Sequence, residues 1–463
     1  MADYSSRRLF IPLDELEIDN FPGYLGRRRK AAFTLALLWG GTVALHLLSW
    51  GSWLVLGLMG VLTIHAVRIL LARPLPPPAP LDPSPTEESS APADGSTRWP
   101  FVSMLVAAKN EELVINRLVA NLCSIDYPVD RYDVWVIDDH SSDRTAQRLQ
   151  DLKGLYPQLR VLRRSAMATG GKSGALNQVW PSIQGEIIGV FDADAQVTPD
   201  MLRRVVPMFE PSHVGAVQMQ KAIVNQAKNL WTRGQQAEMA LDSYFQQQRI
   251  SLGGIGELRG NGQFVRRAAL VQSGGWNEET ITDDLDLTLR LHFSGWSVEF
   301  LLEPAVMEEG VERAIALWHQ RNRWAEGGYQ RYLDYWRLIA QNRLSPSKTL
   351  DLAAFWIIQY GLPTVAFPDF VMALWRHRLP LFLPVSGLAL TLSMVGMYQG
   401  LRRTQPQSIW VHGLQTLWGN LYMLHWVLVI STMTLRLAVR PKRLRWVKTT
   451  HLGGEDDLQV HTP

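Results

Sequence analysis

Apolar and polar positions divide the 463-residue chain into blocks of different character. Residues 1–30 are polar, with prolines at Pro12 and Pro22, and end in the basic run Arg27-Arg28-Arg29-Lys30. From Ala31 to Ala72 the chain is almost free of charge. Apolar runs Phe33–Leu48 and Trp53–Leu71, parted by Ser49-Trp50-Gly51-Ser52, predict a helical hairpin over 31–73 with each arm close to a bilayer's width. No cleavage site follows the first arm, so it does not read as a secretory signal. Residues 74–100 are proline-rich and predict an extended spacer without a core. From 101 to 345 short β-branched runs (Phe101–Ala107, Val134–Ile137, Ile187–Phe191, Val214–Gln218) alternate with helical patterns such as Arg144–Lys153 and Pro199–Phe209. That alternation predicts an α/β domain with a mainly parallel sheet, whose ligands bind beyond the carboxyl ends of the strands. Over 346–440 apolar character returns as Leu352–Trp375, Leu379–Gly400 and Trp410–Val439, interrupted by Pro363, Pro368 and Pro384.

Charge placement adds an orientation. Basic residues flank the hairpin at Arg27–Lys30, Arg68 and Arg73, and the tail 441–463 is basic, then acidic. The positive-inside rule then expects both chain ends and the catalytic part in the cytoplasm. This requires an even number of crossings, so one of the three C-terminal segments is expected to be interfacial or re-entrant. A net charge of +3 gives no argument for a nucleic-acid partner. The single cysteine, Cys123, excludes an intramolecular disulfide and a cysteine-based zinc cage.

Candidate chemistry collects at the predicted strand ends. Ile187–Phe191 runs into Asp192-Ala193-Asp194, and carboxylates there suit Mg²⁺ or Mn²⁺ while leaving coordination positions for a diphosphate. Solvated turn aspartates would look the same in isolation. Val134–Ile137 ends in Asp138-Asp139, and nearby Asp143 is placed either to bind or to cap the next helix. Thr282-Asp283-Asp284 opens a helix running to Phe293. Thr282 is its expected N-cap, and the aspartates either complement the helix dipole or take a proton from an acceptor hydroxyl. Gly170-Gly171-Lys172-Ser173-Gly174 lacks a P-loop's first glycine, since Ala166 stands there, but its lysine can reach a diphosphate. On the helical segment Glu312–Trp336, Gln320, Arg323 and Trp324 share one face and suit phosphate, sugar and stacking contacts.

In this order the motifs resemble family 2 glycosyltransferases, the inverting GT-A fold enzymes with an early acidic residue, a D-x-D, a T-E-D and a Q-x-x-R-W. Ala107-Ala108-Lys109-Asn110-Glu111-Glu112, the Lys172 turn, and Gly260-Asn261-Gly262 with Arg266-Arg267 extend the resemblance over roughly 100–340. It implies a GT-A domain inserted between N- and C-terminal transmembrane helices. It also implies a UDP-sugar donor: Ala107, Glu111 and Asp139 on the uridine, Lys172 on the diphosphate, and Asp192 and Asp194 on ribose and metal. Asp284 would be the general base. Gln320, Arg323 and Trp324 would close over donor and acceptor, and Gly260, Asn261, Gly262 and Asp283 would lie on the acceptor side. Asp283 departs from the family's usual glutamate. The gating motif F-x-V-T-x-K of processive members is replaced by Ser345-Pro346-Ser347-Lys348-Thr349-Leu350. With the small membrane region, this points to transfer of a single sugar onto a membrane lipid. The layout resembles the members that pass glucose from UDP-glucose to diacylglycerol, with ceramide glycosylation or a processive β-glucan synthase as alternatives.

Overall fold

The computed structural model describes residues 25–82 and 99–440. Expectations for segment 1–24, the centre of the proline-rich spacer and the tail from 441 lie outside these residues.

Seven strands form one mixed sheet: β1 (Val102–Ala108), β2 (Tyr132–Asp138), β3 (Leu159–Arg163), β4 (Ile187–Phe191), β5 (Val214–Ile223), β6 (Gln263–Arg266) and β7 (Ser297–Glu308), in the order β3-β2-β1-β4-β6-β5-β7. β1, β2, β3 and β4 pair in parallel, as do β5 and β7. β6 alone runs against both its neighbours. The carboxyl ends of the parallel strands therefore gather on one edge, and β6 brings its amino end there. Gly260-Asn261-Gly262, just before β6, reaches the same edge as Asp138 and Asp192 for this reason.

Alternation along the strands builds a core on each face. Met104 and Val106 of β1 pack with Ile115, Leu118 and Phe191 on one side. Leu105 packs with Ile137, Leu176 and Leu287 on the other. The expected helix Pro199–Phe209 is a short α-helix, Met201–Val205, tightening into a 3₁₀ turn, Val206–Phe209, with Pro207 in that turn. The segment after Thr282 is helical over Asp283–Phe293, and the Q-x-x-R-W segment lies in Ala314–Ala340.

The hairpin consists of helices Arg27–Leu47 and Gly51–Leu71, the first beginning within the basic run. Next come Pro346–Trp356, a π-helical turn at Ile357–Gly361, and Leu362–Trp375, whose Pro363 lacks the N–H needed to continue a regular ladder. Leu383–Thr404 starts later than its apolar run because Pro384 sits in its first turn. The last segment is two helices, Ile409–Met423 and His425–Val439, parted at Leu424, a break the apolar pattern does not signal. Among the described residues, four helical stretches are long and apolar enough to cross a membrane: Arg27–Leu47, Gly51–Leu71, Pro346–Trp375 and Ile409–Val439.

Domain and apolar helices share packed interfaces. Tyr329 and Leu333 of Ala314–Ala340 pack with Val429, Ile430 and Met433. Helix Leu230–Ser251 lies against Leu383–Thr404, where Gly400 leaves no space for a Cβ against the Ala240 carbonyl, so the two backbones touch. This junction surrounds the cavity described next.

Candidate active site

β4 carries Asp192 to the sheet edge, where Lys172, in the first turn of helix Gly171–Val179, meets it with Nζ 2.5 Å from Oδ1. Burial works to lower the Lys172 pKa, but Asp192, Asp283 and Asp284 outweigh it and hold the ammonium above its ordinary value. Two residues on, buried Asp194 accepts at Oδ2 from the backbone N–H of Glu309, at 2.8 Å. The Asp192 backbone N–H donates to Asn261 Oδ1 at 3.2 Å, and the Asn261 carbonyl accepts from Gln218 at 2.8 Å. Asn261 is thus a buried brace beneath the aspartate pair. Gly262, at φ 68°, has no room for a Cβ beside Val306.

Asp283 and Asp284 open their helix beside this cluster. Thr282 makes no capping hydrogen bond, and its side chain packs on Gly327 of Ala314–Ala340. The helix start is instead used to hold two carboxylates together. Burial and then the Asp283 charge push Asp284 up to about 6, against the Leu285 N–H, Lys172 and Arg259, which pull it down. Asp283 is raised as well, chiefly by burial. A carboxylate poised near neutrality suits a general base.

Across the site, Gln320, Arg323 and Trp324 face inward from Ala314–Ala340. Two cations lie over Trp324: the Arg321 guanidinium carbon is 4.0 Å and Lys221 Nζ 5.1 Å from its ring centroid. Arg321 is fully buried and paired to Glu238 of helix Leu230–Ser251, at 2.5 Å.

These residues line a cavity of about 1280 Å³ that continues from the aspartates into the apolar helices. Ala107, Glu111, Lys172, Asp192, Asp194, Gly260, Asp283, Asp284, Gln320, Arg323 and Trp324 line its polar end; Leu62, Ile69, Phe355, Ile358, Leu383 and Leu390 line its apolar end. Asp139, Asn261 and Gly262 are not in the lining. Asp139 is held by Arg164 at 2.5 Å and Lys109 at 3.4 Å. Asp138 accepts from the Ser141 N–H at 2.9 Å, and Asp143 accepts from the Thr145 N–H at the next helix start, a structural role for each. Arg266 and Arg267 bind the backbone carbonyls of Val214 and Gly185.

Sequence patterns missed Lys221, Glu238, Asp242, Arg259 and Arg331, all in the cavity wall. Isolated charges in polar stretches carry no local signal, and only the sheet order brings them together. Among the described residues no group of three or more metal-type side chains forms a closed cage. Two strand-end carboxylates beside a lysine fit a hard cation that completes its shell with diphosphate and water.

A family model described as glycosyltransferase like family 2 matches residues 100–327. The chain is 60% identical over 436 residues to a beta-monoglucosyldiacylglycerol synthase of Nostoc sp., an alignment covering 93% of this chain and 90% of that one. It is 54% identical over 452 residues to the synthase of the same name from Synechocystis sp., covering 96% and 92%. Among solved structures, a mannosyltransferase from Pyrobaculum calidifontis in complex with GDP-Man and Mn²⁺ superposes with a TM-score of 0.56 at 21% identity, covering 86% of this chain and 99% of that one. At that identity the likeness speaks to the fold, which is GT-A.

Proposed function

The chain belongs to the family 2 glycosyltransferases, and from that premise we propose that it transfers glucose from UDP-glucose to diacylglycerol, forming β-monoglucosyldiacylglycerol. The observation that carries this reading is the unbroken cavity from Asp192, Asp194 and Asp284 to the side chains of apolar helices. A nucleotide sugar suits the charged end. The apolar end suits hydrocarbon chains and offers a growing polysaccharide little to bind. The names of the two synthases point the same way.

In this mechanism Lys172 leaves Asp192 for the donor diphosphate. Asp192 and Asp194 would hold Mg²⁺ or Mn²⁺, whose charge offsets that developing on the departing diphosphate. Asp284 takes the proton of the lipid hydroxyl as that oxygen attacks the anomeric carbon. Attack comes from the face opposite the diphosphate, so the bond to UDP breaks as the new one forms and an α-linked donor gives a β-glucoside. Trp324, Gln320 and Arg323 position the sugar and diphosphate. The four candidate spans give the even number of crossings that a cytoplasmic catalytic domain with both chain ends on its side requires.

Membranes carrying the chain, given labelled UDP-glucose and diacylglycerol, are expected to yield one labelled monoglucosyl lipid on a thin-layer plate. Insoluble polymer, or labelling of ceramide in place of diacylglycerol, overturns the proposal.

A further inference from the structure

The turn Arg259–Gly262, just before β6, touches both halves of the proposed chemistry. On one side, the Asp192 backbone N–H donates to Asn261 Oδ1 at 3.2 Å. On the other, Gly260 brings bare backbone up to the base: at its φ of 84°, a Cβ built there would stand 3.3 Å from Asp284 Oδ2. The turn thus spaces Asp192 from Asp284. Such a buried turn keeps its shape only where its backbone polar groups find partners.

One side chain supplies the partners that the sheet does not. Gln218, on β5, is only 1% exposed. Its Oε1 accepts from the Arg259 N–H at 2.7 Å, and its Nε2 donates at 2.8 Å to each of the Asn261 and Met219 carbonyls. Both donors of the amide and its oxygen are engaged. The orientation is fixed as well, because a reversed amide would set its oxygen against two carbonyls and its NH₂ against an N–H. The strand ladder catches the turn at Gly262, whose N–H donates to the Val190 carbonyl and whose carbonyl accepts from the Met219 N–H, each at 3.0 Å.

A glutamine is costly at this place in a strand. β5 is buried from Val214 to Gln220, and Ala216, on the same face as Gln218, belongs to an apolar core. An aliphatic side chain would pack here with no polar atom to satisfy. The turn that the amide clamps accounts for the glutamine.

We infer that Gln218 is a positioning residue for glucosyl transfer: by clamping the Arg259–Gly262 turn it holds Asp192 in register with Asp284, so that donor and attacking hydroxyl stay aligned. The inference rests on the reaction and metal ligands proposed above and adds what keeps the two halves of the site together.

The test uses the full-length enzyme in lipid nanodiscs, with Mn²⁺ affinity in the presence of UDP read by electron paramagnetic resonance. Gln218→Met keeps the side-chain length and removes all three hydrogen bonds. It is expected to weaken Mn²⁺ binding about tenfold, the scale of lost support behind a metal ligand. It should also lower kcat about 10- to 100-fold through misalignment, with KM for diacylglycerol within about twofold. Asn261→Ala leaves the Gln218 clamp in place and removes the acceptor beneath Asp192, so it too should weaken Mn²⁺ binding about tenfold. In the double variant the two losses should not multiply, since both act through one contact. Gln248→Met is the control: Gln248 is equally buried, and its Nε2 donates to the Ile69 and Ala72 carbonyls at the end of the helical hairpin, at 2.8 Å and 3.0 Å. It is expected to lower thermal stability and leave Mn²⁺ affinity unchanged. Wild-type Mn²⁺ affinity in Asn261→Ala or in folded Gln218→Met, losses that multiply in the double variant, or an equal loss in Gln248→Met overturn the inference and leave the transfer reading standing. Wild-type enzyme that glucosylates no diacylglycerol removes that reading, while the Mn²⁺ measurements still decide whether Gln218 supports Asp192.

Discussion

Lys172 Nζ stands 2.5 Å from Asp192 Oδ1, so the proposed diphosphate ligand and a proposed metal ligand neutralise one another before any donor arrives. Binding must exchange this pair for two new ones: lysine with diphosphate, and aspartate with cation. Lys172→Gln is therefore expected to weaken UDP-glucose binding by about 10- to 100-fold, the scale of a lost charge-assisted contact. Isothermal titration with UDP measures it, and unchanged affinity would remove Lys172 from the donor site.

The same lysine modulates the pH dependence. Asp284 is pushed up to about 6 by burial and by Asp283, with Lys172 among the groups that restrain the rise. The base works only when ionised, so kcat/KM is expected to be flat above this value and to fall about tenfold per pH unit below it. In Lys172→Gln the acid limb moves to higher pH, because one restraint is gone. Asp284→Asn is expected to lower kcat by at least about 10³-fold while UDP still binds. An acid limb that survives in Asp284→Asn would assign the base elsewhere.

Chelation tests the two strand-end carboxylates. Treatment with EDTA is expected to abolish transfer, and added Mg²⁺ or Mn²⁺ to restore it, with UDP affinity rising on addition of the ion. Asp194→Asn should lose that metal-dependent gain in affinity. Full activity in excess chelator would contradict the assignment.

How far the sequence announces this architecture depends on burial pattern. β1, β2, β4 and β5 are legible because buried parallel strands read as apolar β-branched runs. β3 (LRVLR) is an edge strand interrupted by Arg160 and Arg163, and β6 has only four residues. β7 contains Pro304, which suits an edge strand but reads as a break. The sequence pattern does not signal helix Leu230–Ser251, since its glutamines resemble a solvated surface. In the fold, Gln235 and Gln246 are buried and hydrogen-bond to backbone groups of Val311 and Glu257. The aspartates were legible for a related reason: each follows an apolar strand or starts a helix, so local pattern and chemistry coincide. Arg259 and Asp242 lie 17 positions apart with no such frame, and only tertiary structure pairs them.

Gly327 links the two sides of the site. Its Cα lies against Thr282, immediately before Asp283 and Asp284, with no room for a methyl group. Gly327→Ala is expected to destabilise the protein by about 1–3 kcal/mol through overpacking and to lower kcat by displacing the base. Gly57→Ala, on helix Gly51–Leu71 with open space around it, is the control and should change neither. Thermal unfolding in detergent and initial rates read both effects. Wild-type behaviour of Gly327→Ala would mean that the two helices slide apart freely.

Glu238, on helix Leu230–Ser251, joins helix Ala314–Ala340 to the last apolar segment. Its Oε2 pairs with Arg321 at 2.5 Å and accepts from Tyr422 at 3.1 Å, and its Oε1 accepts from the Trp426 indole at 2.8 Å. Arg321 in turn backs the Trp324 ring. Glu238→Ala strands a fully buried guanidinium and is expected to cost about 3–5 kcal/mol. Glu238→Gln keeps the shape and one acceptor, so it should cost less in stability while still loosening Arg321 behind Trp324. The measurement is a pair of curves for each variant, thermal unfolding and UDP-glucose dependence of the rate. Glu238→Gln is expected to raise the donor KM with a smaller loss of thermal stability than Glu238→Ala. If both variants lost stability alone, with an unchanged KM, Glu238 would be a strut between domain and membrane helices with no hold on the donor.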